Sequence, residues 1–436
     1  MNENRHISFT TGEHRPKAVI VPFQRSSFLQ KKRHFFLVVA VIATTLVSWF
    51  NINSWLIILL AVCRLFDGRP ADVIRSAFSN RWFIAWLAVF VLEVTGLFHT
   101  HDLFAAWMHV ESKATLVAIP FILCGGPFAD QRGYRRLSQV YCLLLAALCL
   151  LCLSTAFLGY LATRDASVFF YHSLTAVLDS NAVFFSGYVL MALLFLLSDP
   201  LLTGKTRAAQ IVHIGMVLFF IGMMVLLASK LLLAILGIVL IVYLMMRYSV
   251  RVPVWRFVAV AIPLVLGIMV LAFTSNPVRQ RYAAIMRNDR NGISLRLFIW
   301  RCAGDILTEK HAWAFGVTAG DSRDLLSEKY AGAGLSKGYV GYNCQNQYVE
   351  VLLRSGITGL GIFLGAAWLL IALAHRVDTL ECWVAVVSIL LLAFTESTLE
   401  MQQPAFLSCF FPLFFMGKMR GSQNSVASQN RLPPPV

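Results

Sequence analysis

The densest set of anion-binding side chains lies in residues 275–345, a polar stretch between long apolar runs. It carries Arg279, Arg281, Arg287, Arg290, Arg296, Arg301, Lys310, Arg323, Lys329 and Lys337 against six acidic residues. Guanidinium groups grip phosphate through paired hydrogen bonds, and an ammonium adds a compact point charge. The expected partner of this stretch is therefore an anion, with a lipid pyrophosphate the obvious candidate. Within it, DRNGISLRLFIWRCAGDIL predicts a turn at Asp289, Asn291 and Gly292, then a helix that Ser294 would cap. Leu295, Phe298, Ile299 and Cys302 recur at helical spacing, so this helix would lie along a membrane surface with Arg296 at the interface. The stretch GVTAGDSRDLL predicts a second helix, capped by Asp321, whose N-terminus suits an anion.

The rest of the chain must hold that stretch in place, and its composition says how. The chain is 58% hydrophobic and 14% charged, with a mean hydropathy of +0.70, which places it in a bilayer. Apolar segments centre on 34–50, 54–66, 82–98, 115–125, 139–160, 182–198, 208–228, 230–247, 256–274, 346–374, 380–395 and 404–418. The expected fold is thus an all-α integral membrane protein of about twelve transmembrane helices with a large extracytoplasmic loop containing short helices. The run 208–247 is too long for one span and is read as two antiparallel helices joined at Ser229-Lys230.

Positive charge sets the expected orientation. Arg69, Arg75, Arg81, Arg132, Arg135, Arg136, Lys205, Arg207, Arg247, Arg251, Arg256 and Arg376 alternate with nearly bare connections, which puts both termini in the cytoplasm. The divisions that follow are a basic cytoplasmic tail (1–33), a membrane domain (34–274), a periplasmic basic loop (275–345), a second membrane domain (346–418) and a disordered cytoplasmic tail (419–436). No cleavable signal peptide is evident. The net charge of +15 is explained by this rule and by anionic membrane lipids, so no nucleic-acid partner is expected. Cys63, Cys142, Cys149 and Cys152 read as small apolar residues of spans. Cys302 and Cys344 both fall in the outer loop, where an oxidising compartment would permit a disulfide. No metal-ligand spacing and no cofactor motif is present.

Other polar positions stand out against this background. Glu93, inside the third span, is either functional or a neutral acid bonded within the bundle. His213 reads as a packing residue, whereas His172 beside Tyr171 lies in an outer connection where a substrate could meet it. Glu396 and Glu400 would share a helix face, serving an acceptor sugar or pairing with loop arginines. Glu350 and Arg354, at i,i+4, are expected to pair with each other.

Six stretches, in order, resemble the O-antigen ligase and polymerase-like family of bacterial membrane glycosyltransferases. These are VESKATLVAIPFIL (110–123), SLTAVLDSNAVFFSGY (173–188), LLASKLLLAI (226–235), SLRLFIWRCAGDIL with AFGVTAGD (294–321), YNCQNQYVEVLLRSGITGLGIFL (342–364) and TESTLEMQQPAFLSCFF (395–411), the last in a Bacteroidetes-like form. The resemblance implies transfer of a glycan from an undecaprenyl-pyrophosphate carrier to a lipid acceptor such as lipid A-core. The reaction would take place on the periplasmic face of the bacterial inner membrane, without metal. It makes Lys230 and Arg296 the ligands of the pyrophosphate. Gln345, Asn346 and Tyr348 stand where members typically read His-Asn-x-Tyr, and Asn181 opens a stretch where relatives often have His-Pro-x-Tyr-x-Ser. Both departures put an amide where the family has an imidazole, and an amide cannot take a proton near neutral pH. On this resemblance Arg296, Lys230 and Gln345 are the catalytic candidates. Asn346, Tyr348, Arg301, Asn181, His172, Glu396 and Glu400 are the substrate-binding ones. Alternatives are a polysaccharide polymerase, a silent relative that binds the carrier lipid, and a transporter. The last would call for repeat symmetry, which the sequence does not show.

Overall fold

The computed structural model describes residues 28–47, 52–67, 69–124, 131–198, 206–248, 293–333 and 341–429, among which there are helices and turns but no strand. The first helices are α1 (Phe28–Leu46), α2 (Ile52–Leu65), α3 (Pro70–Phe78), α4 (Arg81–Gly96), α5 (Leu103–Lys113), α6 (Thr115–Leu123), α7 (Gln131–Thr163) and α8 (Tyr171–Thr175). They are followed by α9 (Ala182–Ser198), α10 (Arg207–Leu227), α11 (Lys230–Tyr248), α12 (Ile293–Glu309), α13 (Ala319–Gly332), α14 (Gln347–Val377), α15 (Leu380–Thr395) and α16 (Gln402–Gln429).

The expected all-helical class is what the chain adopts. Among the described residues three helices are long and apolar enough to cross a membrane (132–163, α10 and α14), or up to five if two bent pairs each make one span. One pair is α3 with α4, bent by 84°; the other is 171–178 with α9, bent by 81°. Other apolar helices are shorter than a full span. Helices α2 and α15 have 14 and 16 residues, which at about 1.5 Å per residue fall short of a hydrocarbon layer of about 30 Å. The segment at 115–125 forms the nine residues of α6. The ninth expected span, 256–274, lies outside the described residues, as do the basic tail before 28 and Arg279, Arg281, Arg287, Arg290 and Lys337.

Helix α9 is the centre of the bundle. Every residue from Ala182 to Leu196 is buried, the pattern of a helix that is apolar all round. It packs against α7, α10, α11, α15 and α16. Phe195 meets Tyr134, Tyr141 and Phe414 edge-on and Phe411 and Phe415 at a tilt, and the buried hydroxyls of Tyr141 and Tyr188 find backbone acceptors. The Tyr141 hydroxyl donates to the Tyr188 carbonyl at 2.7 Å and the Tyr188 hydroxyl to the Gln403 carbonyl at 2.6 Å, so α7, α9 and α16 are tied at fixed depth.

The run 208–247 does divide into two helices. The break is at Ala228 and Ser229, with Ala228 in the left-handed region, so Lys230 is the first residue of α11 rather than part of the turn. A second break matters more for the site. Within α14 the chain turns at Gly356, whose φ of 64° and ψ of −164° interrupt the helix. The interruption frees the carbonyls of Leu353 and Arg354 and the amides of Ile357 and Thr358, and residues 313–318 capture all four. Val317 donates to Leu353 at 2.9 Å and Thr318 to Arg354 at 2.9 Å, while Ile357 donates to Trp313 at 2.8 Å and Thr358 to Ala314 at 3.3 Å. The two backbones pass so closely that a Cβ on Gly316 would meet Arg354 at 2.2 Å, and one on Gly356 would meet Ala314 at 2.3 Å. Glycine is required at both positions for space and for its positive φ.

Candidate functional site

Segments 100–114, 313–333, 341–356 and 396–403 converge at one end of the bundle, and charged side chains gather there. The turn 396–401 is the hub. Helix α15 stops at Thr395 and α16 starts at Gln402, so Glu396 and Glu400 do not share a helix face as expected. They point to different partners instead. Gln402 and Gln403 hold the far end of the turn: Gln403 shares hydrogen bonds of 2.8 and 3.1 Å with Ser180, and Gln402 reaches Ser54 at 3.3 Å. Leu399 donates its amide to Gln347 Oε1 at 2.7 Å, and Ser397 reaches Glu350 at 3.5 Å.

Behind the turn lies a buried ionic cluster. Arg354 binds both oxygens of Glu400 at 2.6 Å, reaches Glu350 at 2.6 Å and donates through Nε to Ser322 at 3.2 Å. Lys113 sits between Glu93 at 2.5 Å and Glu400 at 3.4 Å. Two buried cations, Arg354 and Lys113, thus face three buried carboxylates, Glu93, Glu350 and Glu400. The expected Glu350–Arg354 pair is present, and Glu93 is bonded within the bundle as half of an ion pair. Burial pushes the Glu400 carboxyl up, but the Arg354 and Lys113 cations outweigh it and hold the group well below the usual carboxylate range. Such a cluster is weak evidence of stability gained, yet removing one member leaves a buried charge uncompensated, at roughly 3–5 kcal/mol.

On the other side of Glu400 an open cleft of about 300 Å³ is lined by Asp102, Ala105, Met108, His109, Ser112, Gly320, Arg323, Asp324 and Glu400. His109 Nδ1 stands 3.6 Å from Glu400 Oε2, and Arg323 approaches the same oxygen at 3.8 Å. Burial, reinforced by Arg354, pushes the His109 ring down to about 3, so it is neutral at physiological pH. Asp321 forms one wall of this region in an unexpected way. It lies inside α13 rather than before it, and its carboxylate accepts from the amides of His101 and Asp102 at 3.1 Å and from the Thr318 hydroxyl at 3.2 Å. The predicted helix cap is therefore a clamp that docks the start of α5 on α13. Thr318, a buried residue with a φ of 72°, is held in this strained form by its bonds to Arg354 and Asp321.

The front of the turn carries Arg296. Its guanidinium lies 3.4 Å from Glu396 Oε1, with side-chain exposures of 32% and 22%, so the pair is reachable from outside. Burial raises the Glu396 carboxyl above its ordinary value, and Arg296 only partly opposes this. One turn along α12, Trp300 Nε1 donates to the Cys344 carbonyl at 3.1 Å and its ring meets Phe394 edge-on at 5.9 Å. This fixes the approach of the Gln345 segment to α12. Gln345 itself is half-buried with a left-handed φ of 47°, and its amide donates to Asn343 Oδ1 at 3.0 Å.

The remaining predicted residues divide by what they touch. Asn346 is buried and caps α14, its Oδ1 accepting from Tyr348 and Val349 at 2.9 and 3.2 Å. The Tyr348 hydroxyl donates to the Leu390 carbonyl at 3.2 Å. Asn181 Oδ1 accepts from the Val183 amide at 2.9 Å at the start of α9, and His172 Nδ1 accepts from the Ala182 amide at 3.3 Å. These four positions have structural partners. Arg301 is exposed on α12, and Lys230 is exposed at the start of α11, a helix that packs on α9 and α15. Cys302 and Cys344 are free, buried thiols of one apolar cluster, so the disulfide left open by the sequence is not formed. That cluster also corrects the expected placement of α12. Ile299, Cys302, Ala303, Ile306 and Leu307 are covered by α13 and α14, so the apolar stripe faces protein rather than a membrane surface. Ser294 falls within the first turn of α12, not ahead of it. The expected pairing of Glu400 with a loop arginine is present through Arg323, whereas sequence reasoning missed His109 and Lys113 as neighbours of Glu400 and Ser322 as a partner of Arg354. One signal was present: an acid inside an apolar run, Glu93, needs a cation, and Lys113 is the nearest along the chain that a helical hairpin could return.

An all-helical chain with apolar helices and an ionic cleft at one end of the bundle defines a membrane protein with a polar site. Residues 214–364 match the family described as O-antigen ligase. The match supports assignment of the chain to an O-antigen ligase-like family, whose members are glycosyltransferase-like enzymes acting between lipid-linked glycans and lipid acceptors. It spans about a third of the chain and includes Lys230, Arg296, Arg301, Gln345, Asn346 and Tyr348, whereas His172, Asn181, Glu396 and Glu400 lie outside it. No curated protein matches the sequence. Among the described residues no group of three or more His, Cys, Asp or Glu is arranged to hold a metal ion.

Proposed function

We propose that this chain transfers a glycan from an undecaprenyl-pyrophosphate carrier to a lipid acceptor such as lipid A-core. In this reading both termini are cytoplasmic and the site faces the periplasm from the inner membrane. The observation that carries it is Arg296, which lies within the family match and, among the described residues, makes one long, partly exposed contact, with Glu396. An arginine held that loosely can turn its fork to a phosphate at little loss, because an accessible ion pair contributes about 0–1 kcal/mol.

Negative charge grows on the pyrophosphate as the glycosidic bond breaks. Arg296, with Lys230 and Arg301 as further cations, would stabilise that charge more in the transition state than in the ground state. Gln345 would position the acceptor through its amide without taking its proton. A second reading, a silent relative that binds the carrier lipid, is favoured by one observation: Gln345 and Asn181 both lack an imidazole. The two are separated by expressing the chain in a host that lacks its own ligase and accumulates lipid-linked O-antigen. Polysaccharide on lipid A-core supports transfer. Well-expressed protein that yields none, while still binding undecaprenyl pyrophosphate, supports the silent relative.

A further inference from the structure

We propose that α5 and the elbow formed by residues 313–316 lie in the interface of the bilayer, where headgroups meet acyl chains, and hold the ionic site at that depth. The partner is the lipid surface at that end of the bundle. The inference stands whether or not the chain transfers a glycan.

The first observation is a set of large apolar side chains left uncovered among the described residues. Phe98, just past the end of α4, is 81% exposed, and Phe104 and Phe315 are each 77% exposed. On α5, Leu103, Phe104, Trp107 and Met108 are exposed, while Ala106, His109, Val110 and Lys113 are buried. Eleven residues at about 1.5 Å each reach only about 16 Å, so α5 is too short to cross a bilayer. A short helix divided in this way lies along a membrane surface. Scattered exposed hydrophobes need no explanation, but neighbouring ones of this size mark a docking face.

The second is continuity, which points to lipid as the partner. The elbow runs beside the head of α14, where Ile357 donates to the Trp313 carbonyl at 2.8 Å and Thr358 to that of Ala314 at 3.3 Å. Trp313, Phe315 and Ile357 are exposed there. The exposed row continues down α14 through Gly361, Leu364 and Trp368, at the spacing of one helix face. Helix α14 is among those long and apolar enough to cross a membrane. Its exposed face meets acyl chains, so the side chains at its head sit where that layer ends. Tryptophan is favoured at that boundary.

The third is the fate of the polar groups. Contact with lipid requires that donors and acceptors be bonded within the protein. Trp313 Nε1 donates to the Thr308 hydroxyl at 3.3 Å, and the Thr358 hydroxyl donates to the Ala314 carbonyl at 2.8 Å. At the start of α5, Asp321 accepts from the amides of His101 and Asp102, and Asp102 accepts from the Ala105 amide at 2.9 Å. Exposed polar side chains flank the apolar ones: His99, His101 and Glu111 around α5, and Lys310 and His311 before the elbow. They form the rim that headgroups and water would meet.

Both pieces are joined directly to the ionic cluster. Val317 and Thr318, which follow the elbow, donate to Leu353 and Arg354. Asp321 ties the start of α5 to α13, which carries Ser322 against Arg354. Fixing the depth of α5 and the elbow therefore fixes the depth of Arg354 and Glu400. Substrates carried on lipids would meet such a site without leaving the bilayer.

The test is quenching of tryptophan fluorescence in the full-length protein, reconstituted into phospholipid brominated near either the headgroup end or the methyl end of its acyl chains. Trp107→Phe, Trp313→Phe and Trp368→Phe each remove one indole, and the difference from wild type isolates its signal. Trp368, about 16 Å further along α14 than Ile357, is the reference for the acyl layer. The signals of Trp107 and Trp313 are expected to be quenched about twofold more by bromine near the headgroup end, and that of Trp368 more by bromine near the methyl end. Signals at Trp107 and Trp313 that neither lipid quenches, or a depth equal to that of Trp368, overturn the proposal. A benzophenone amino acid placed at position 315 supplies a second readout in native membranes. Lipid adducts are expected on illumination; adducts to another protein or to a second copy in their place assign the face to a protein partner and overturn it.

Discussion

Two arginines reach the same short turn from opposite sides, and they do so on very different terms. Arg354 is buried, grips both oxygens of Glu400 at 2.6 Å, and adds contacts to Glu350 and Ser322. Among the described residues Arg296 makes a single 3.4 Å contact, with Glu396, and keeps about a third of its side chain exposed. A guanidinium has five N–H donors in a fixed fork. Those of Arg354 are engaged with carboxylates and a hydroxyl, so this residue builds the site. Among the described residues those of Arg296 meet one carboxylate oxygen at 3.4 Å, so this residue is suited to meeting a substrate. Charge type and family position alone would make the two arginines look alike; burial and partner number tell them apart.

The sharpest way to break the contrast is to delete Arg354. Arg354→Met should destabilise the folded protein by about 3–5 kcal/mol, because Glu400 and Glu350 are left buried without their cation. A thermal unfolding scan in detergent checks this, and a stability near wild type would mean that water or Lys113 replaces the arginine. Gly356→Ala probes the helix break that orients Arg354. With a left-handed φ and Ala314 backbone 2.3 Å from the new Cβ, it should cost about 1–3 kcal/mol in the same scan.

A further effect concerns pH. The unfolded chain takes up a proton at His109 near its ordinary 6.5, whereas the folded chain does so only near 3. Stability should therefore be full above 6.5 and fall as pH drops toward 3, by at most about 1.4 kcal/mol per unit from this residue. His109→Gln should remove that component, and an identical pH profile in the variant would contradict a neutral buried ring. The mildest substitution is Gln345→His. Histidine tolerates the left-handed backbone better than most residues, so transfer should be retained or raised; complete loss in a rate assay would show a site rebuilt around the amide.

Local chemistry made part of this arrangement readable in advance. The Glu350–Arg354 pair follows from i,i+4 spacing, and the division of 208–247 into two helices follows from length. The partners of those groups did not follow. Glu400 lies 46 positions from Arg354 and far from Lys113 in sequence, and no periodicity announces that three segments meet there. Hydropathy also reads straight through Gly356, because the residues on both sides are apolar, while the break depends on backbone atoms of 313–318 that arrive from elsewhere. The same limit explains Glu396 and Glu400. A shared helix face was inferred from spacing, and the end of α15 at Thr395 sends the two carboxylates to different arginines.

The central claim is that Arg296 serves the reaction and not the fold. The direct measurement is O-antigen ladder formation on lipid A-core in ligase-deficient cells carrying wild-type protein or Arg296→Ala at matched membrane levels. The account predicts a ladder with wild type and a loss of about a hundred- to a thousandfold in the variant, with unfolding unchanged to within about 1 kcal/mol. A ladder of normal strength from Arg296→Ala would contradict it.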